Sequence, residues 1–112
     1  MNDKSDCIEV TTTVETQKEA DTLARLILEE RLAACVQIIF CTSHYHWQEK
    51  IEHAAECKLV IKTISSLFPQ LERFILKNHP YQVPEILAVA VVNCNEAYYA
   101  WLKAEVKGYE GQ

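Results

Sequence analysis

The chain has 112 residues, 49% hydrophobic and 24% charged, with a formal net charge of −5. This is the composition and length of one globular domain and not of a disordered segment. No two of its eleven Lys and Arg are adjacent, and its two glycines, Gly108 and Gly111, stand near the end, so neither a nucleic-acid or membrane-binding basic cluster nor a glycine-rich phosphate loop is expected.

In chain order, residues 8–14 read as a strand, β-branched and rich in Thr. Thr16-Gln17-Lys18-Glu19 forms a capping box that opens a helix. Ala20, Leu23, Ala24 and Ile27 are its buried stripe, and it ends near Arg31. A second strand is expected over 34–40, continuing to Trp47 after an irregularity at Cys41-Thr42-Ser43. Residues 48–50 form a polar turn, and a third strand runs from Ile51 to Thr63. Ser65 or Ser66 caps a second helix that carries Pro69 in its first turn and Leu67, Leu71, Phe74 and Ile75 as its stripe. Asn78-His79-Pro80 stops it, because the residue before proline is pushed out of the helical region. A loop at 81–84 leads to an apolar strand at 86–92. Asn93 or Asn95 then caps a third helix bearing Ala97, Tyr98, Trp101 and Leu102, and the tail from Lys107 is frayed.

The order β-α-β-β-α-β plus a terminal helix predicts an α+β, ferredoxin-like fold: a four-stranded antiparallel sheet with helices on one face. It forms a single domain over 1–112, with an ordered core of about 7–106. The strands at 36–40 and 86–92 do not alternate apolar with polar, so both their faces read as buried. Self-association through the open sheet face explains this. The alternative is that Trp101 and the last helix cover that face within one chain. The hairpin from about 34 to 64 also exceeds ordinary strand lengths, so its excess projects toward a neighbour.

Met1–Asp6 is polar with no signal core, and no apolar stretch reaches the length of a membrane span. The five cysteines are odd in number and form no C-x-x-C pair. A reduced, cytoplasmic protein is expected.

Few residues carry candidate chemistry. His44 and His46 share a strand face. With Glu49-Lys50 as the turn, His53 lies opposite His46 with Cys41 nearby, a set suited to Cu or Zn, although a polar outer face explains the same residues. His79 sits in a loop stiffened by Pro80 and Pro84, either held for binding or capping the preceding carbonyls. Cys35 is a thiolate nucleophile beside His79 or an inert buried thiol. Glu56 and Lys62, six apart on one strand, form an ion pair in a subunit cleft or a surface pair.

Several pieces in order are similar to the CutA divalent-ion tolerance proteins. They are Leu32-Ala33-Ala34-Cys35-Val36; Thr42-Ser43 with Tyr45 and Trp47; Glu56; Lys62-Thr63; His79-Pro80-Tyr81 with Val83-Pro84-Glu85; and Trp101-Leu102. The resemblance runs from about Ile8 to Ala104. It implies a homotrimer resembling the PII signalling proteins, with hairpins pairing between subunits, in the bacterial cytoplasm. It implies a response to divalent metals, copper above all, and the protein is expected not to be an enzyme. The residues gathered in its intersubunit cleft match Cys35, Trp47, Glu56, Lys62, Tyr81 and Glu85. The family's copper pattern, a first-strand cysteine and a His-His pair before Pro-Tyr, falls here on Thr12 and Asn78-His79, leaving His79 as the retained metal ligand. Weak binding of Cu(II) or another divalent ion is the resulting expectation.

Two other functions fit such a fold. One is a PII-like sensor holding a small anionic metabolite through Lys62. The other is an acylphosphatase-like hydrolase, which needs an anion loop with Arg near the first strand; residues 10–19 contain neither Arg nor Gly. Finally, the family's turn is Trp-x-Gly-Lys, whereas this chain has Trp47-Gln48-Glu49-Lys50. Glu49 resists positive φ, so a different turn type and a mobile hairpin tip are expected.

Overall fold

The structure of the protein is a computed structural model that describes residues 6–108. The first strand, β1 (Cys7–Val14), directs Ile8, Val10, Thr12 and Val14 into the core. Helix α1 (Gln17–Glu29) begins at the expected capping box: the Thr16 hydroxyl accepts the Glu19 N–H at 3.1 Å, and the Glu19 carboxylate accepts the Thr16 N–H at 3.2 Å. Its buried residues are the predicted Ala20, Leu23, Ala24 and Ile27. Arg31 follows the helix at φ 54°, a place usually taken by glycine. Long-range partners hold it there. Its guanidinium donates to the Glu105 carbonyl at 2.9 Å and its own carbonyl accepts the Lys107 N–H at 2.9 Å.

Strands β2 (Cys35–Trp47) and β3 (Lys50–Ile64) form the long hairpin. A 3₁₀ turn (Ser65–Leu67) leads into α2 (Phe68–Asn78), then β4 (Leu87–Ala90) and α3 (Glu96–Glu105). The sheet order is β2-β3-β1-β4, and every neighbouring pair is antiparallel. This is the expected α+β, ferredoxin-like arrangement. The core runs from Cys7 to Val106. Within it the Thr63 hydroxyl donates to the Leu32 carbonyl at 2.7 Å, which satisfies a buried polar pair. Leu102 and Val106 bring α3 into this core, and Lys103 pairs with Asp6 at 3.0 Å. No helix of the described residues is long and apolar enough to cross a membrane.

Several local expectations are overturned. The hairpin has no irregularity at Cys41-Thr42-Ser43; its ladder is unbroken from Cys35↔Lys62 to Trp47↔Lys50. Its turn is the two residues Gln48 and Glu49, at φ 50° and 66°. Positive φ at both positions is the type I′ pattern, so Glu49 does occupy the conformation it was expected to avoid. Left-handed backbone costs about 1–2 kcal/mol per non-glycine residue, and the I′ twist that matches a long ladder outweighs it. Neither Ser65 nor Ser66 caps α2; the 3₁₀ turn supplies its first turn, and Pro69 sits where no intrahelical N–H is needed. Asn95 is the N-cap of α3, without a side-chain hydrogen bond. The predicted strand at 86–92 is shorter, Leu87–Ala90. Of the predicted frayed tail, residues 109–112 lie outside the described residues.

The odd residues of β3 from Cys57 to Thr63 point to the core, so the even ones face the open side. That open face carries Ile39 (50% exposed) from β2, and Leu87 and Val89 (both 58%) from β4. The last helix reaches it only at one end, where Tyr98 lies over Lys62, and Trp101 is itself exposed. The one-chain cover is therefore incomplete.

Candidate functional site

Pro80 forces His79 into extended backbone, φ −90° and ψ 136°, at the end of α2. This turns the imidazole back across the start of the sheet. Its Nε2 lies 3.1 Å from the Thr12 hydroxyl and 2.9 Å from the Thr13 carbonyl, and its Nδ1 accepts the Tyr81 N–H at 3.1 Å. A carbonyl can only accept, so this network assigns the proton to Nε2 and the lone pair to Nδ1. Burial pushes the His79 pKa below its ordinary value, against the opposing pull of the Thr13 carbonyl and the charges of Glu19 and Glu56. His79 does not cap the α2 carbonyls as one reading expected; Asn78 does, donating to the Phe74 carbonyl at 2.8 Å.

The Tyr81 ring meets His79 edge-on at 4.9 Å, and its hydroxyl donates to Glu56 Oε2 at 2.6 Å. Burial and that carboxylate together hold the phenol well above its ordinary pKa. Tyr81 is thus a neutral donor that ties the loop after α2 to the middle of β3.

A second group lies at the base of the hairpin. Cys35 stands opposite Lys62, the Tyr98 ring lies 5.6 Å from the Lys62 ammonium, and burial together with the nearby Cys35 pushes the Tyr98 phenol above its ordinary pKa. Glu85 is elsewhere on the open face, accepting from the Thr11 hydroxyl at 3.1 Å. Trp47 is at the hairpin tip, opposite Lys50. Glu56 and Lys62 are six residues apart on one strand, about 20 Å at 3.3 Å per residue, so the expected ion pair between them does not form within the chain. One chain therefore joins Glu56 with Tyr81, and Cys35 with Lys62, and leaves Glu85 and Trp47 apart from both. A common cleft among all six requires neighbouring copies.

The histidines of the hairpin also take a different register. The turn at Gln48 and Glu49 sets His53 opposite His44, not opposite His46, which faces Ile51. Cys41 pairs with Glu56 on the other face of the hairpin. The His44 and His53 rings stack with centroids 5.6 Å apart and planes 28° apart. Among the described residues no group of three or more His, Cys, Asp and Glu is placed to hold a metal ion.

The three positions of the family copper pattern partly converge: Thr12 and His79 touch. The residues present do not suit a metal. A hydroxyl and an amide replace two strong ligands, Asn78 is engaged with Phe74, and both nitrogens of His79 are already used. Cys7 lies buried near the far end of β1 and cannot substitute.

Thr11, Thr13 and Tyr98 escaped the sequence reading as site residues, and Thr12 entered it only as the place of the family's cysteine. Strand alternation held one signal: Thr12 falls on the core face between Val10 and Val14, and a buried hydroxyl needs a partner. The Tyr98 contact had no local signal.

Comparison with known proteins places these features. Residues 8–105 match the family described as CutA1 divalent ion tolerance protein. The chain is 41% identical over 92 residues to the divalent-cation tolerance protein CutA of Thermus thermophilus, covering 81% of this chain and 89% of that one. The structure of CutA from Synechococcus elongatus is similar, with a TM-score of 0.91 at 33% identity and 95% of each chain covered. A structure described as the periplasmic divalent cation tolerance protein CutA from Archaeoglobus fulgidus has a TM-score of 0.88 at 30% identity, covering 90% of this chain and 99% of that one. The chain spans about half the length of the mouse and human proteins named CutA that it matches.

Proposed function

The chain belongs to the CutA1 divalent ion tolerance protein family, and on that premise we propose that it acts in the cytoplasm as a homotrimer that responds to divalent cations by binding and not by catalysis. The open sheet face carries this reading: Ile39, Leu87 and Val89 are half or more exposed, on strands whose sequence is apolar on both faces. Apolar area of this kind is stabilised by removal from water, at about 25 cal/mol per Å², and a second copy supplies the cover that α3 does not. The number three comes from the family resemblance. Native mass spectrometry of the full chain is expected to give about three times the 12.9 kDa protomer. A monomer at micromolar concentration overturns the assembly.

Contact with a divalent ion at His79 is proposed to be weak, because the ion displaces either the Thr13 or the Tyr81 hydrogen bond. Titration of the metal-free chain with Cu(II) and Zn(II), comparing wild type with His79→Ala, tests this. A loss of binding in the variant supports the contact, and unchanged affinity removes His79 from it. The cytoplasmic assignment is supported by five free cysteines among the described residues.

A second reading, a PII-like sensor of a small anion, is favoured by Lys62. Its ammonium has an aromatic ring beside it and no carboxylate partner among the described residues. A thermal-shift screen of anionic metabolites is expected to give a shift that Lys62→Ala abolishes; an equal shift in the variant rejects it.

A further inference from the structure

The projecting hairpin holds a pair of imidazoles that the family's copper pattern does not include. The Gln48–Glu49 turn makes Trp47↔Lys50 the closing, hydrogen-bonded pair of a two-residue hairpin. Hydrogen-bonded and non-hydrogen-bonded pairs alternate away from the turn, so His44↔His53 is a non-hydrogen-bonded pair. In such pairs the Cα atoms approach to about 4.5 Å and the side chains stand closest. The two rings accordingly lie 5.6 Å apart, centre to centre.

That spacing suits one ion between them. With metal–nitrogen bonds of about 2.1 Å, two imidazoles on one tetrahedral ion have ring centres roughly 5 Å apart. The present separation needs a closure of a few tenths of an ångström. The rings are stacked within 28° of parallel, and imidazole lone pairs lie in the ring plane, so binding also requires both side chains to rotate and aim one nitrogen each at a common point. Both residues are exposed, so no packing resists the rotation. Among the described residues neither ring is engaged in a hydrogen bond or ion pair, the opposite of His79, whose two nitrogens are both taken.

We infer that His44 and His53 form a two-imidazole site for a borderline divalent cation on the outer hairpin. Imidazole favours Cu(II), then Zn(II) and Ni(II), over Mg(II) and Ca(II), and water completes the coordination. The bound ion cross-links β2 to β3 in the part of the hairpin that has no helix beneath it. The site extends the divalent-cation reading above but stands on its own geometry.

The test uses the full chain without a polyhistidine tag, stripped of metal and titrated with Cu(II) alone. His44→Ala and His53→Ala are each expected to weaken the tighter phase of Cu(II) binding by about tenfold or more, while His79→Ala removes only the weaker phase. Paramagnetic broadening of amide signals is expected to centre on residues 42–46 and 51–55. His44→Asn and His53→Asn, with native mass checked, replace any alanine variant whose assembly changes. Wild-type affinity in both hairpin variants, or broadening centred on His79, overturns the site. Loss confined to His79→Ala overturns it while leaving the weak contact at His79 standing, and absence of Cu(II) binding in the wild type overturns both.

Discussion

The two halves of β3 are held by different forces. From Cys57 onward, its alternate residues are buried in the core beside α1 and α3, and Ile61 faces Val10 across the sheet with neither exposed. From Lys50 to Ala55 no helix lies beneath it, Ile51 is 74% exposed, and the strand is held by its ladder to β2 and by the turn. The histidines divide the same way. His79, on the packed side, has its ring fixed by three contacts, whereas His44 and His53, on the projecting side, have only each other among the described residues. Burial makes a side chain a structural part; its absence leaves the same chemistry available to a ligand or a neighbour.

The largest expected effect separates the halves directly. Ile61→Ala should lower unfolding stability by about 2–5 kcal/mol through lost burial and a cavity, whereas Ile51→Ala should change it by less than about 0.5 kcal/mol. Denaturant midpoints decide. A core-sized loss at Ile51 means the projecting part is seated against another copy, and the contrast within one chain fails.

Next in size is Thr63→Val, which strands the buried Leu32 carbonyl without its donor and should cost about 1–3 kcal/mol. A neutral outcome would show that the base of the hairpin is held by apolar contact alone. On the projecting side, Glu49→Gly should stabilise by about 1 kcal/mol, because glycine takes φ near 66° without the Cβ penalty. Destabilisation there would contradict the I′ turn, and with it the register that pairs His44 with His53.

The most gradual effect is with pH. Burial lowers the His79 pKa below its unfolded value of 6.5, so the unfolded chain takes up the proton first. The stability carried by the neutral ring is complete above 6.5 and is lost as pH falls through 6.5 toward the folded value. Urea midpoints measured from about pH 8 to pH 5 should show this slope, and His79→Gln should flatten it. A slope that survives His79→Gln belongs to another group.

Much of the fold was legible because its signals are local. The Thr16–Glu19 capping box and the stripe of Ala20, Leu23, Ala24 and Ile27 depend on residues three or four apart, and both formed as read. The element order followed from the change between two-residue and helical periodicity. Glu56, Tyr81, Cys35 and Lys62 were legible as candidates, but their pairing was not. Tyr81 meets Glu56 across 25 residues, and His79 meets Thr13 across 66. No periodicity encodes such distances.

The sequence by itself therefore determined which segments become strands and helices, and that apolar residues fall on both faces of two strands. Tertiary structure alone decided the hairpin register. Without a glycine at the turn, the choice between Gln48-Glu49 and Glu49-Lys50 rests on how thirteen cross-strand pairs fit together, and a shift by one loop residue moves His53 from His46 to His44. It also decided the role of His79. Proline at position 80 sets only the backbone, and the carbonyl that claims the ring belongs to a strand folded back from the start of the chain.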